Sequence, residues 1–210
     1  MNIKHFIFDL DGTLWNTTEV SAAAYNHALR EDGRSQLCVT PDMIKQEFGK
    51  TLRAIADDLF PQFHRDIRDE LMEKCSDANI QFLRNTNCPM LYPDVTKTLA
   101  QLSQRSKLYI VSNCQCGYIE LFLDKYNLNP YFTDIECYGT NLKSKAENIR
   151  ILMERNQILD AVYVGDTAGD YQSSVQAEIP FIFAAYGYGS VPQSTCTINR
   201  FSDLLPITSL

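Results

Sequence analysis

Short apolar segments alternate along this chain with stretches of helical composition, and this alternation constrains the fold more than any other feature. The predicted strands span residues 3–8, 108–111, 161–164 and 179–183, with weaker ones at 134–138 and 194–198. The helices between them are predicted at about 94–104, 117–126, 146–156 and 169–176. Strands that read as solid apolar runs are covered on both faces. The pattern therefore predicts an α/β fold, a doubly wound parallel sheet with a Rossmann-like core.

One region interrupts the alternation, because no convincing strand lies between about Trp15 and Asn87. Helices are predicted there at about 19–30, 41–48, 51–60 and 64–83. Thr40 is a plausible N-cap, since Pro41 after it suits the first position of a helix. We therefore predict an α/β core domain, residues 1–14 and 88–210, and a helical domain inserted after the first strand, residues 15–87.

Composition excludes several classes of partner. Acidic residues outnumber basic ones by 26 to 19, and the net charge of −7 argues against a nucleic-acid partner. No apolar run is long enough to cross a membrane, so no membrane partner is expected. An odd number of cysteines, seven, follows an N-terminus without an apolar leader, which predicts reduced thiols and a cytoplasmic protein. We expect a monomer or a weak homodimer.

Cys114 and Cys116 form a C-x-C motif directly after a predicted strand. A metal site there needs further ligands, and no second Cys or His pair is spaced to supply them. The two residues are therefore interpreted as small thiols near a strand end.

Two carboxylates follow the first predicted strand in the motif Asp9-Leu10-Asp11-Gly12-Thr13. Residues two apart in a strand face the same side, so both can point into the crevice where open α/β sheets bind ligands. Such a pair can divide roles, one ionised as nucleophile or metal ligand and one protonated as acid. Gly12 permits a sharp turn. A solvated Asp-Gly turn is the alternative.

Polar residues also follow the strands at 161–164 and 108–111. Asp166 and Asp170 are clustered carboxylates, which repel each other unless a cation holds them, and hard oxygen ligands suit Mg²⁺. Ser112 and Asn113 offer a hydroxyl and backbone N–H groups to a phosphate oxygen. Lys145 precedes the strand at 161–164 and is suited to neutralise a carboxylate or a phosphate. Taken singly, these residues are also typical of helix caps, turns and solvated surfaces.

In combination the motifs resemble those of the haloacid dehalogenase (HAD) superfamily. The residues that carry the resemblance are, in chain order, Asp9-x-Asp11-Gly12-Thr13, Ser112, Lys145 and Gly165-Asp166-x-x-x-Asp170. Lys143 competes with Lys145, which is preferred because it leads straight into a helix. The helical insert resembles the C1-type cap of phosphoglycolate phosphatases and beta-phosphoglucomutases.

The resemblance implies a Mg²⁺-dependent phosphatase that hydrolyses a small phosphate monoester through an aspartyl-phosphate. Asp9 is then the nucleophile, and Asp11 is the acid and base for the leaving alcohol and the water. Ser112 and Lys145 are expected to hold the phosphoryl oxygens, together with the loop residues Gly12, Thr13 and Asn113.

Mg²⁺ binding is implied for three groups with a fourth close by: the Asp9 carboxylate, the backbone carbonyl of Asp11, Asp166 and Asp170. Lys50 and Arg53 in the insert resemble a loop that sets substrate specificity, and they are expected to contact an anionic substrate. Ordinary solvated charges at a helix start are the alternative for these two residues.

Dehalogenases and phosphonatases of the superfamily lack a carboxylate at the position of Asp11, so Asp11 favours phosphate esters. A phosphomutase of the beta-phosphoglucomutase type stays open, because the same two aspartates serve it. A non-enzymatic binding protein is disfavoured, since it has no need of all four aspartates. The loop 185–189 was given no chemical role.

Overall fold

The computed structural model describes residues 3–192, 194 and 196–207, and the chain divides into two compact units. The core unit is Met1–Asn16 with Met90–Leu210, and the helical unit is Thr17–Pro89. The predicted domain bounds fall two residues before these on each side of the insert. Each unit is described by itself below.

A six-stranded sheet forms the centre of the core unit, with the order β3-β2-β1-β4-β5-β6. The strands are β1 His5–Phe8, β2 Lys107–Ser112, β3 Phe132–Cys137, β4 Val162–Gly165, β5 Phe181–Ala184 and β6 Cys196–Ile198. Every neighbouring pair is parallel. The predicted doubly wound α/β fold is therefore confirmed. β6, the last strand in the sheet order, was also predicted, but with the longer range 194–198.

The central strands are apolar because both of their faces are covered. Phe6, Ile7 and Phe8 of β1 are fully buried, as are Tyr109 of β2 and Tyr163 of β4. Such strands lack the alternation of a half-exposed sheet, which is why periodicity located them but misjudged their ends. β1 begins at His5 rather than Ile3, and β5 begins at Phe181 rather than Ile179.

The helical unit contains four helices and, among residues 17–89, no strand. The helices are α1 Thr18–Asp32, α2 Pro41–Glu47, α3 Leu52–Leu59 and α4 Arg65–Asn85. The Thr40 side chain accepts a hydrogen bond from the Met43 N–H, and Pro41 occupies the first turn, as predicted. The unit has its own apolar core, which includes Tyr25, Leu29 and Leu71.

Six helices belong to the described part of the core unit. They are α5 Val95–Leu102, α6 Tyr118–Lys125, α7 Tyr138–Asn141, α8 Lys145–Arg155, α9 Ala168–Gln176 and α10 Leu204–Ile207. The short helices α7 and α10 were not predicted, because four residues carry too little periodicity to detect. Capping boxes begin α8, with Ser144 and Glu147, and α9, with Thr167 and Asp170. None of the described helices combines the length and hydropathy required to span a bilayer.

Candidate active site

Three adjacent strands deliver the predicted motifs to one edge of the sheet. Phe8 at the end of β1 lies beside Ile110 of β2 and beside Val164 of β4. Since the strands are parallel, their carboxyl ends meet at the same edge, where open α/β sheets bind ligands. The Asp9 N–H donates to the Val164 carbonyl at 2.8 Å and continues this register past the strand.

The acids that follow β1 and β4 converge at this edge. Asp9, Asp166 and Asp170 each offer a carboxylate oxygen, and these atoms all lie within 4.8 Å of one another. All three residues are 2% exposed or less. Three acids brought this close in a buried place constitute a site for a positive charge, since like charges repel strongly there.

Lys145 supplies one positive charge to the cluster. Its Nζ donates to Asp9 Oδ1 at 2.8 Å and to Asp170 Oδ1 at 2.6 Å, and its side chain is 2% exposed. Lys145 is the first residue of α8, directly after the Ser144 cap, so the helix start fixes where it projects. Lys143, the competing lysine, is exposed. The structure therefore brings the preferred lysine to the acids.

The cluster carries more negative than positive charge, and the pKa values reflect this. Burial raises the pKa of Asp9 to about 6, although Lys145 opposes the shift. Burial, followed by repulsion from Asp170 and Asp9, raises the pKa of Asp166 well above its ordinary range. Burial works against the charged form of Lys145, yet Asp170 and Asp9 raise its pKa well above that of a free lysine. One ammonium group does not balance three carboxylates, so a further cation suits the site.

Asp170 uses both of its oxygens within the protein. Oδ1 accepts from Lys145, and Oδ2 accepts from the Thr167 hydroxyl at 2.7 Å and from the backbone N–H groups of Thr167 and Asp166 at 3.0 and 3.2 Å. Gly165 is required beside it, since a Cβ there would stand 2.7 Å from Asp170 Cβ. Asp170 therefore orients Lys145 and the loop that carries Asp166.

Gly12 and Thr13 contact Asp166 from the first motif. Gly12 has a φ of +84°, and a Cβ at this position would lie 2.2 Å from Asp166 Oδ2, so a glycine is needed for both reasons. The Thr13 hydroxyl donates to Asp166 Oδ1 at 3.3 Å. The first and fourth motifs are thus joined through Asp166.

The loop 185–189, which sequence analysis left without a role, also holds Asp166. The Tyr188 N–H donates to Asp166 Oδ2 at 2.7 Å, and the Tyr186 hydroxyl donates to the Thr13 carbonyl at 2.8 Å. A Cβ on Gly187 would stand 2.3 Å from Asp166 Cβ. This loop follows β5, which is adjacent to β4, and a contact made through the Tyr188 N–H leaves no signal of residue type in the sequence.

Asp11 lies at the same edge, but its carboxylate is not a member of the three-acid cluster. The Tyr118 hydroxyl donates to Asp11 Oδ1 at 3.1 Å. Tyr118 is 2% exposed, and its ring packs against Trp15 with 5.4 Å between ring centroids. Tyr118 was not predicted as a site residue, because the sequence around the start of a helix does not indicate a contact with a residue 107 positions away.

Ser112 is the last residue of β2 and is buried. It lies on the strand next to β1, which leads into Asp9, so it occupies the predicted edge. Asn113 follows it in the loop and is half-buried. Their predicted contacts with a phosphoryl group stay predictions.

Lys50 and Arg53 belong to the helical unit and are exposed. Lys50 Nζ donates to Glu47 at 2.9 Å and to Asp58 at 2.7 Å, so its charge is already paired inside that unit. A role for either residue in substrate binding stays a prediction.

Comparison with known proteins agrees with the resemblance inferred from the sequence motifs. The family model described as haloacid dehalogenase-like hydrolase matches residues 6–184, most of the chain and all four motifs. The chain belongs to this family. The matched range includes the three-acid cluster, Lys145 and Asp11, which lie at one edge of the sheet.

Individual relatives of this HAD protein cover nearly all of it. A phosphoglycolate phosphatase of Aquifex aeolicus is 28% identical over 98% of this chain and 96% of its own length. The crystal structure of a predicted phosphoglycolate phosphatase from Haemophilus somnus superposes with a TM-score of 0.84 at 22% identity, covering 99% of each chain. A HAD-hydrolase of Bacillus subtilis, solved bound to magnesium, gives a TM-score of 0.76 at 18% identity over the full length of both chains. The two structures show the shared fold.

Proposed function

We propose that this HAD protein is a Mg²⁺-dependent phosphatase that hydrolyses a small phosphate monoester through a phosphoryl group carried on Asp9. The observation that carries the proposal is the buried contact of Lys145 with Asp9 inside a cluster of three acids. A nucleophile beside an ammonium group can approach an anionic phosphate, because the positive charge offsets the repulsion.

Mg²⁺ fits the donors at the site. Asp9 and Asp166 would hold it with the backbone carbonyl of Asp11, all oxygen ligands of the kind this ion prefers. Asp170 would stay on Lys145 and the Thr167 cap, where both of its oxygens are already used. When bound, the ion supplies positive charge that neutralises the carboxylates and the phosphoryl oxygens. The HAD-hydrolase of B. subtilis, solved bound to magnesium, supports this choice.

The protein groups account for the two chemical steps. In the first, an Asp9 oxygen forms a bond to phosphorus as the bond from phosphorus to the ester oxygen breaks, and Asp11 gives its proton to the leaving alcohol. In the second, Asp11 takes a proton from water, and the water oxygen forms a bond to phosphorus as the bond from phosphorus to the Asp9 oxygen breaks. Inorganic phosphate departs, and the Asp9 carboxylate is free again. Lys145 holds phosphoryl oxygens in both steps, and Tyr118 positions Asp11 through its hydrogen bond.

The substrate is proposed to be a small anionic metabolite, with phosphoglycolate the first to test. The curated relatives named as phosphoglycolate phosphatases support it. We propose the helical unit as the cap of the family, with Lys50 and Arg53 as its candidate contacts to a substrate carboxylate.

A phosphate-release assay tests the proposal. Metal-stripped protein is given phosphoglycolate, beta-glucose 1-phosphate and nucleoside monophosphates, each with and without added Mg²⁺. We expect Mg²⁺-dependent release of phosphate and no release by Asp9→Asn of unchanged fold. Formation of an isomer in place of phosphate would indicate a phosphomutase, and turnover that persists in Asp9→Asn would overturn the mechanism.

A further inference from the structure

Two cysteines meet beside the candidate site, at the ends of neighbouring strands. Ser112, the last residue of β2, pairs in register with Cys137, the last residue of β3. Cys114 follows two residues after Ser112, and its carbonyl accepts the Gly139 N–H at 3.0 Å. The Cys114 thiol also hydrogen-bonds the Cys137 sulfur. The two sulfur atoms are therefore neighbours, although the two cysteines are 23 positions apart in the sequence.

A cavity borders one member of this pair, Cys137. Its volume is about 220 Å³, and Cys137 forms part of its wall. Other lining residues are Glu120, Asp134, Glu136, Thr140 and Arg155. Cys114 is half-buried, whereas Cys116, its partner in the C-x-C motif, is exposed. The cavity is large enough to hold a molecule as small as a hydroperoxide beside Cys137.

We propose that Cys114 and Cys137 are a modification site, at which a hydroperoxide drives formation of a reversible disulfide that inactivates the enzyme. Both thiols are free, and a hydrogen bond already brings their sulfur atoms together. The inactivation part rests on the proposed phosphatase function, whereas the disulfide itself does not.

The chemistry balances with a hydroperoxide as oxidant. The Cys137 thiolate attacks one peroxide oxygen, the O–O bond breaks, and Cys137 becomes a sulfenic acid while water or an alcohol leaves. The Cys114 sulfur then displaces hydroxide from that sulfenic acid, which leaves with the thiol proton as water.

The two thiols differ in a way that fits these roles. The hydrogen bond from Cys114 lowers the pKa of Cys137 to about 6, against the effect of burial. Burial raises the pKa of Cys114 well above its ordinary value. Cys137 also lines the cavity, so we expect it to react first and Cys114 to resolve the sulfenic acid.

The disulfide would displace Ser112, which lies two residues before Cys114 in the sequence. An S–S bond measures about 2.05 Å, well below the separation of two hydrogen-bonded sulfur atoms, so the loop after β2 must move toward β3. The Cys114 thiol also hydrogen-bonds Ser112, the last residue of β2, so a shift of Cys114 acts on the Ser112 side chain. A phosphoryl-binding hydroxyl displaced by about 1 Å can cost about a hundredfold in rate.

Peptide mapping tests the disulfide without any assay of activity. Trypsin cleaves after Lys107, Lys125 and Lys143, so Cys114 lies in peptide 108–125 and Cys137 in peptide 126–143. Peptide 108–125 also contains Cys116, so the mapping is done on wild type, Cys116→Ser and Cys114→Ser. After hydrogen peroxide treatment of the full-length, Mg²⁺-loaded protein, we expect the two peptides to be joined in wild type and Cys116→Ser, to separate on reduction, and to stay apart in Cys114→Ser. A bond from Cys114 to Cys116, or no cross-link while the exposed Cys116 is oxidised, would overturn the proposal.

Activity measurements test the consequence. We expect peroxide to reduce phosphate release at least about tenfold, and dithiothreitol to restore it, in wild type and in the matched control Cys116→Ser. Cys114→Ser and Cys137→Ser should resist this reversible loss. Equal sensitivity of either variant would overturn the regulatory role. An inactive wild type that still forms the cross-link would count against the phosphatase and leave the modification site supported.

Discussion

Charged groups are arranged in opposite ways in the two units of this protein. In the core unit, three acids and one lysine are almost fully buried, and the pKa values of Asp9 and Asp166 are raised. In the helical unit, Asp32 accepts hydrogen bonds from Arg34 and Lys74, which hold its pKa well below its ordinary value.

The direction of each pKa shift shows whether folding favours or disfavours the charged form of the group. A lowered acid pKa means that folding favours the carboxylate, as it does for Asp32 and for Asp57, which is paired with Arg65 and Arg68. A raised acid pKa means that folding disfavours it, as for Asp9. The ion pairs of the helical unit stabilise the protein, whereas the acids of the core unit are held at a cost that the proposed cation would offset.

The largest expected effect on activity is the difference between replacing an acid in the core unit and replacing one in the helical unit. Asp9→Asn should reduce phosphate release on the order of 10⁴-fold, because it removes the proposed nucleophile. Asp57→Asn, the matched change in the helical unit, should leave the rate within about twofold. Steady-state kinetics with phosphoglycolate and Mg²⁺ measure both. A similar loss in the two variants would break the comparison.

Lys145→Met should cost about 10²- to 10³-fold in activity and should also destabilise the protein. Removing the ammonium group leaves three buried acids unbalanced, a change worth about 3–5 kcal/mol when a buried pair is broken. Urea unfolding of metal-free protein measures the stability. The control is Lys143→Met, two residues earlier and exposed, for which neither quantity should change. Unchanged stability in Lys145→Met would show that the lysine does not balance the acids.

Tyr118→Phe should lower kcat about tenfold with little change in KM, since it removes one hydrogen bond, worth about 1–1.5 kcal/mol, from the acid that serves both steps. The control is Tyr131→Phe, a half-buried tyrosine in the short turn before β3. A rise in KM with kcat unchanged would instead place Tyr118 in substrate binding.

The smallest effect is on stability alone and depends on pH. Asp32→Asn should lower the melting temperature by a few degrees near pH 7, because the ion pairs with Arg34 and Lys74 are lost. Since the pKa of Asp32 is lowered on folding, its contribution is present above about pH 4 and disappears as the pH falls further. The difference from wild type should therefore shrink toward pH 3. The exposed Asp77→Asn serves as the control, and a difference independent of pH would contradict this account.

Most of the fold was predictable, because the local composition of each segment indicates whether it forms a strand or a helix, and the alternation of the two indicates an α/β fold. The order of the central strands was not stated from sequence, but the shared edge of Asp9, Ser112 and Asp166 followed from parallel pairing. Lys145 was separable from Lys143 since it begins a capped helix.

Contacts made by backbone or by distant side chains were not predictable. Tyr188 reaches Asp166 through its N–H, which carries no signal of residue type. Tyr118 and Asp11 meet only once α6 packs beside the site, and the meeting of Cys114 with Cys137 depends on the register of an edge strand. Each contact joins segments far apart in sequence, so no local pattern encodes it.

The central claim is that the acids of the core unit are arranged for a divalent cation, and the melting temperature near pH 7.5 with and without Mg²⁺ tests it directly. Burial places the pKa of Asp9 at about 6, so its carboxylate lowers stability at this pH, and metal-free Asp9→Asn should melt a few degrees above metal-free wild type. Saturating Mg²⁺ should raise the melting temperature of wild type by several degrees and that of Asp9→Asn far less. No shift in wild type, or an equal shift in both proteins, would contradict the account.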